Sequence, residues 1–147
     1  MKSGIKITGL NEIYLALNHA AERVADGARK AMHRGADEIV REAKLNTPVD
    51  EHNLEESIRK EVTYGFRGRL VINVIMGGMV NGVNVDNYAV EVHENYSQMK
   101  PGPGTVAKRQ ANPQRYVGEK FLERAGKDVR ARLERNAIQV VRREWKL

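Results

Sequence analysis

Ala43-Lys44-Leu45-Asn46-Thr47-Pro48-Val49-Asp50 closes one regular element and opens the next. Pro48 has no N–H to give a helix and pushes Thr47 out of the α region, so a helix arriving here stops at Asn46. Reading back from this stop, apolar or small residues fall at Leu10, Ile13, Leu17, Ala20, Val24, Ala28, Ala31, Gly35, Ile39 and Ala43. Their steps of three and four make one stripe, which predicts a single long helix over residues 10–46. The stripe is rich in Ala and Gly, so a neighbour can approach it closely. Asp26-Gly27 is the candidate kink, because Gly weakens a helix by about 1 kcal/mol relative to Ala.

Reading forward from Pro48, residues 53–58 make one short helical turn, with Asp50 or Asn53 as its cap. Leu54 and Ile58, four apart, return one face to the core. Ile58 to Tyr64 and Leu70 to Met76 read as an antiparallel strand pair, joined by the hairpin loop Gly65-Phe66-Arg67-Gly68-Arg69. Gly77 to Gly82 is a second turn. Val83 to Val92 supplies a third strand, or a strand followed by a short helix. Residues 95–115 contain Pro101, Pro103 and Pro113 and no acid, and show no period. They are expected to be a long basic loop, of a length that is usually functional or disordered. From Tyr116 to Trp145 a helical stripe returns at Leu122, Ala125, Val129, Leu133, Ala137 and Val140. The expected fold is α+β, a single domain over residues 1–147. Its parts are a long N-terminal helix, a small antiparallel meander of three to four strands, the basic loop, and a long C-terminal helix packed on the sheet.

The 147 residues contain no cysteine, which excludes disulfides, thiolate metal sites and a cysteine nucleophile. No apolar run approaches the length of a membrane span, and no secretory leader is expected. The net charge of +6 is unevenly placed. Residues 47–94 carry 4 Lys/Arg against 8 Asp/Glu, residues 95–115 carry 4 against none, and residues 116–147 carry 9 against 5. An acidic middle followed by basic segments suits head-to-tail contact between unlike surfaces, although ordinary solvation of separate faces looks the same.

Enzyme chemistry has little to stand on. His19 and His33 are 14 residues apart on one predicted helix, about 21 Å at 1.5 Å per residue. His52 and His93 lie in separate segments and could meet, but no H-x-x-x-H spacing exists. The only serines are Ser3, Ser57 and Ser97, and no nucleophile elbow or phosphate loop is present. The carboxylates Asp50, Glu51, Glu55 and Glu56 read as favourable charge at a helix N-terminus. Lys100, Lys108, Arg109 and Arg115 could contact phosphates, which leaves a nucleic-acid-binding module as the alternative reading.

Three ordered segments resemble one family: Ala43 to Asp50 with Asn53-Leu54 and Ser57-Ile58; Tyr88-Ala89-Val90-Glu91-Val92-His93-Glu94-Asn95; and Gly118-Glu119-Lys120-Phe121-Leu122-Glu123-Arg124-Ala125. The opening Ile7-Thr8-Gly9-Leu10 agrees as well. Together they are similar to the tailed-bacteriophage neck and tail-completion proteins, also called head–tail joining or minor tail proteins. One departure is visible: Glu51-His52 stands where that family commonly has Thr-Gly, so the turn is expected to differ in shape.

The resemblance implies a structural virion protein without cofactor or catalytic residues. It implies a homo-oligomeric, hexameric ring at the head–tail junction, assembled in the host cytoplasm. Its neighbours would be the head connector or stopper and the tail terminator or tail tube, with nonspecific contact to passing DNA and no membrane. Pro48, Asp50, Leu54, Ile58, Tyr88, Phe121 and Leu122 carry architectural roles in this reading. Lys100, Lys108, Arg109 and Arg115 become candidates for an assembly arm or a DNA channel, in a segment expected to be disordered until its neighbours order it.

Overall fold

The computed structural model describes residues 10–145. Ile7-Thr8-Gly9 and Lys146 lie outside the described residues, as do the side chains of Leu10, Ile13 and Leu17. Helix α1 runs from Leu10 to Asn46 as 37 continuous residues, about 55 Å. It stops where Pro48 requires, with the Thr47 hydroxyl donating to the Ala43 carbonyl at 2.6 Å.

Gly27 does not interrupt the helix: α1 is continuous through it. Gly27 and Gly35 serve instead as close-approach points. A Cβ at either would collide with Val140 or Leu133 of the last helix, α5, Phe121–Glu144. The pairings Gly27 with Val140 and Gly35 with Leu133 run in opposite directions, so the two helices are antiparallel. Arg132–Glu38 (2.6 Å) and Arg23–Glu144 (3.4 Å) continue the same register. From about Arg23 onward the small stripe of α1 thus receives α5. Only the first turns of α5 reach the sheet side, through Phe121, Leu122 and Ala125.

Between the helices lie α2, Asn53–Ser57, and the hairpin of β1, Arg59–Tyr64, with β2, Leu70–Ile75. The pairing is antiparallel, from Arg59 opposite Ile75 to Tyr64 opposite Leu70. A second, separate pair joins β3, Met79–Val80, to β4, Val83–Asn84. The single meander expected from sequence is therefore two small sheets. The break falls at Gly77 and Gly78, whose φ of 116° and 88° turns the chain out of the ladder. Their amides are taken by the Ser57 hydroxyl (3.2 Å) and the Asp86 carboxylate (2.9 Å). The strand-or-helix segment resolves as β4, one 3-10 turn and helix α3, Ala89–Asn95, whose buried residues Ala89 and His93 have helical spacing.

Two local expectations are corrected. Asp50 is exposed and does not cap α2; the capping position is His52, with φ 63° and no side-chain cap bond. The backbone thus keeps the left-handed turn that Gly would supply, at the strain of a side chain there. Residues 95–115 are not a loose loop. They hold a 3-10 turn, Tyr96–Gln98, and helix α4, Pro103–Ala111, with Pro103 at a first-turn position where its missing N–H does no harm.

One core gathers Ala43, Leu54, Ile58, Val85, Ala89, Phe121 and Ala125, with Val74, Met76, Val80, Tyr88 and Leu122 packed around it. Helices α1, α2, α3 and α5 and strands β2 and β3 all contribute. Leu54, Ile58 and Phe121 are buried, and the Phe121 ring meets His93 edge-on at 4.8 Å.

Candidate functional site

Helix α4 acts as a clasp on the end of α1. Lys108 sends its ammonium under the last turn of α1, donating to the carbonyls of Lys44 and Thr47 and to the Glu55 carboxylate at 3.1 Å. The Lys44 carbonyl also takes a long bond (3.4 Å) from the Thr47 amide, and a cation is favoured at this end by the helix dipole. Burial pushes the Lys108 pKa down, against an upward pull from Glu55. Thr105, fully buried, accepts from the Val49 amide (2.9 Å) and the Tyr96 hydroxyl (3.0 Å) and donates to the Val49 carbonyl (3.1 Å). Gly104 lies so close to Val49 that a Cβ would touch its backbone oxygen at 3.0 Å. The stretch after Pro48 is thereby fixed through contacts about 56 residues away in sequence.

Arg109 and Arg115 are occupied in the same way. Arg109 donates to the Val117 carbonyl at 2.9 Å and sits over the Tyr96 ring. Arg115 bridges to Glu42 at 2.7 Å and to Asn46 at 3.0 Å. Of the four cations singled out from sequence, three tie the clasp to α1 or to its own connection. Lys100 alone is exposed, and makes no ion pair among the described residues.

Tyr96, Met99, Lys100 and Gly102, on the stretch leading into the clasp, complete a cleft of about 470 Å³. Pro48, Leu54, Val83, Tyr88, Tyr96 and Met99 supply its apolar floor and walls, and Asp50, Glu51, His52 and Lys100 its polar lining. Four of the architectural residues, Pro48, Asp50, Leu54 and Tyr88, and one of the four cations, Lys100, thus share one cavity. Burial raises the Tyr88 phenol pKa, and Glu51 and Asp50 raise it further, so the field of the acidic pair falls inside the cleft. Beyond its far wall, Glu94 at the end of α3 holds Lys120, just before α5, and the His93 ring at 2.7 Å. The two partners hold the Glu94 carboxyl below the usual carboxylate range, and Glu94 holds Lys120 above the usual lysine range.

Sequence reasoning missed two features. Val49, Tyr96 and Met99 line the cleft and the buried Thr105 braces Val49 and Tyr96, and no local pattern marks that arrangement. The hairpin tip at residues 65–69 was read as a turn only. There Phe66 is 85% exposed and Tyr64 66% exposed. Arg67, at φ 56°, lies over the Phe66 ring at 5.1 Å. An aromatic set inside a Gly-flanked basic turn was the available signal.

His52 is exposed beside Glu55 at 3.6 Å, whereas His93 is buried. Among the described residues, no group of three or more His, Asp or Glu side chains is arranged to hold a metal ion. No described helix is long and apolar enough to cross a membrane.

No curated protein and no solved structure matches this chain. A family model described as "Bacteriophage HK97-gp10, putative tail-component" matches residues 11–97, from the first turn of α1 to the wall of the cleft. By that match over more than half its length, the chain belongs to the HK97-gp10-like family of phage tail components.

Proposed function

We propose that this chain is a ring-forming subunit of the phage neck, completing the head-proximal end of the tail and joining it to the head. The observation that carries this reading is the family match over α1, the hairpin and most of the cleft. Its neighbours are other copies of itself in a hexameric ring, the head connector or stopper on one side, and the tail terminator or tube on the other. It acts by binding, without catalysis, and is assembled in the host cytoplasm into the virion. The acidic 47–94 region against the basic 95–147 region supports a heterologous contact, the kind that closes rings.

The welded clasp changes what this model asks of residues 95–115. They act as a rigid part of the cleft rather than as an arm that orders on assembly. Their cations also lend little to a DNA-binding role, since Lys108, Arg109 and Arg115 are bonded within the fold. Lys100 is the one positioned to meet a polyanion. Mass spectrometry of purified particles, with gold-labelled antibody on the same particles, tests the assignment. Label at the head–tail junction in a low fixed copy number supports it. Protein abundant in the lysate but absent from particles overturns it, and tight, salt-steep binding to DNA would then favour the nucleic-acid module.

A further inference from the structure

The hairpin tip and the cleft are complementary and sit apart on the same chain. The tip offers one exposed aromatic, Phe66, between Gly65 and Gly68, with Arg67 and Arg69 beside it and no acid. The cleft offers an apolar pocket with Asp50 and Glu51 in its lining, opposed by Lys100. Phe66 is not part of the cleft of its own chain. The strands of the hairpin, six residues each, carry the tip about 20 Å beyond the end of α2 at 3.3 Å per residue. A plug and a socket so separated can meet only between copies.

We propose that residues 65–69, led by Phe66, seat in the cleft of a second copy of this chain, with Arg67 and Arg69 against Asp50 and Glu51. The proposal rests on the self-assembly reading above and names the contact that would build it. Charge favours a second copy over another partner, and the build of the tip marks it as a contact surface. The charges of the two surfaces are opposite. The tip is held rather than floppy, its turn closed by bonds from the Gly65 amide to the Arg69 carbonyl (2.7 Å) and from the Gly68 amide to the Gly65 carbonyl (3.1 Å). Arg67 occupies the left-handed region, a strained conformation of the sort found where a surface is shaped for contact. Because plug and socket are different patches, each copy uses both, and the contact propagates head to tail until it closes.

The absence of native cysteine makes a direct test simple. Full-length Gly65→Cys, which leaves Phe66 and both arginines in place, is mixed with differently tagged full-length Met99→Cys and treated with a short bis-maleimide. The control pair is Gly65→Cys with Gly126→Cys on α5, where added atoms meet open space. The expected result is a mixed dimer formed at least about tenfold faster than in the control pair, as for a contact with a buried aromatic anchor. Adding Phe66→Ser or the pair Arg67→Glu and Arg69→Glu to the first copy should abolish the excess. Asp50→Lys with Glu51→Lys in the second copy should restore it for the charge-reversed tip. Equal rates for test and control pairs overturn the proposal, as does a charge-reversed tip that links undiminished. If sedimentation shows the untreated protein self-associating while the link fails, the plug-and-socket contact falls and the ring reading stands. If at about 1 mM, where even millimolar binding is substantially populated, there is neither association nor link, the plug-and-socket contact falls, and the ring reading is decided by the particle labelling above.

Discussion

Residues 65–69 and residues 95–115 look alike as sequence: both are short of acid, contain Gly and carry unbalanced Lys or Arg. Their fates in the fold are opposite. In 95–115 three of four cations turn inward onto carbonyls and carboxylates of α1, α2 and the following connection. In 65–69 the arginines and an aromatic stay in solvent. The difference lies in what each segment can reach. The end of α1 presents helix-terminal carbonyls that a lysine can satisfy, whereas a hairpin tip closes its own hydrogen bonds and has nothing beneath it. Cationic character alone therefore says little about which surface is free to bind.

The largest expected effect comes from breaking the inward member of this comparison. Lys108→Met leaves Glu55 and two helix-terminal carbonyls without their cation and should lower unfolding free energy by about 3 kcal/mol, measured by urea denaturation. An unchanged midpoint would show that the clasp is not fastened by this residue. Thr105→Val keeps shape but strips partners from the Val49 amide and the Tyr96 hydroxyl; a loss of about 2 kcal/mol is expected by the same method. His52→Gly relieves a left-handed side chain at the start of α2 and should gain about 0.5–1 kcal/mol, seen as a higher melting temperature. A lower one would mean that the His52 contact with Glu55 outweighs the strain.

Smaller effects sharpen the contrast. Glu94 has its pKa lowered in the folded state by Lys120 and His93. Its contribution is therefore full above the ordinary glutamate value and is lost as pH falls through the lowered one. Lys120, raised by Glu94, contributes below the ordinary lysine value and loses that contribution as pH rises through the raised one. Melting temperatures of wild type and Glu94→Gln should differ modestly near neutrality and converge in acid; a constant gap at all pH values would remove the ion pair as the cause. Smallest of all should be Phe66→Ser, within about 0.5 kcal/mol of wild type, because the ring touches no core. Its effect should appear in assembly alone, and a clear loss of stability would give Phe66 a structural role instead.

Much of the frame was legible. The stop at Pro48 places the C-terminal end of α1 to the residue, and the strand pair around residues 65–69 emerges with its ends nearly correct. Such features depend on periods and breakers within a few residues. The segment 95–115 was misread because its prolines and glycines mark breaks equally well in a loop and at the ends of a short helix; Pro103 begins α4 rather than preventing it. Gly27 is ambiguous for a related reason. Glycine in a helix signals either weakness or close packing, and only the presence of Val140 against it decides.

The sequence by itself determined the long helices, the hairpin, the α+β class and the family, all of which rest on local periodicity and on ordered short motifs. Tertiary structure alone decided which cations are free, that Pro48, Asp50, Leu54, Tyr88 and Lys100 line one cleft, and that α5 lies along α1. Those outcomes turn on bonds such as Thr105 to Val49 and Lys108 to Thr47, between residues 56 and 61 positions apart. A side chain's partner at that separation is set by how the elements pack, and no period along the chain records it.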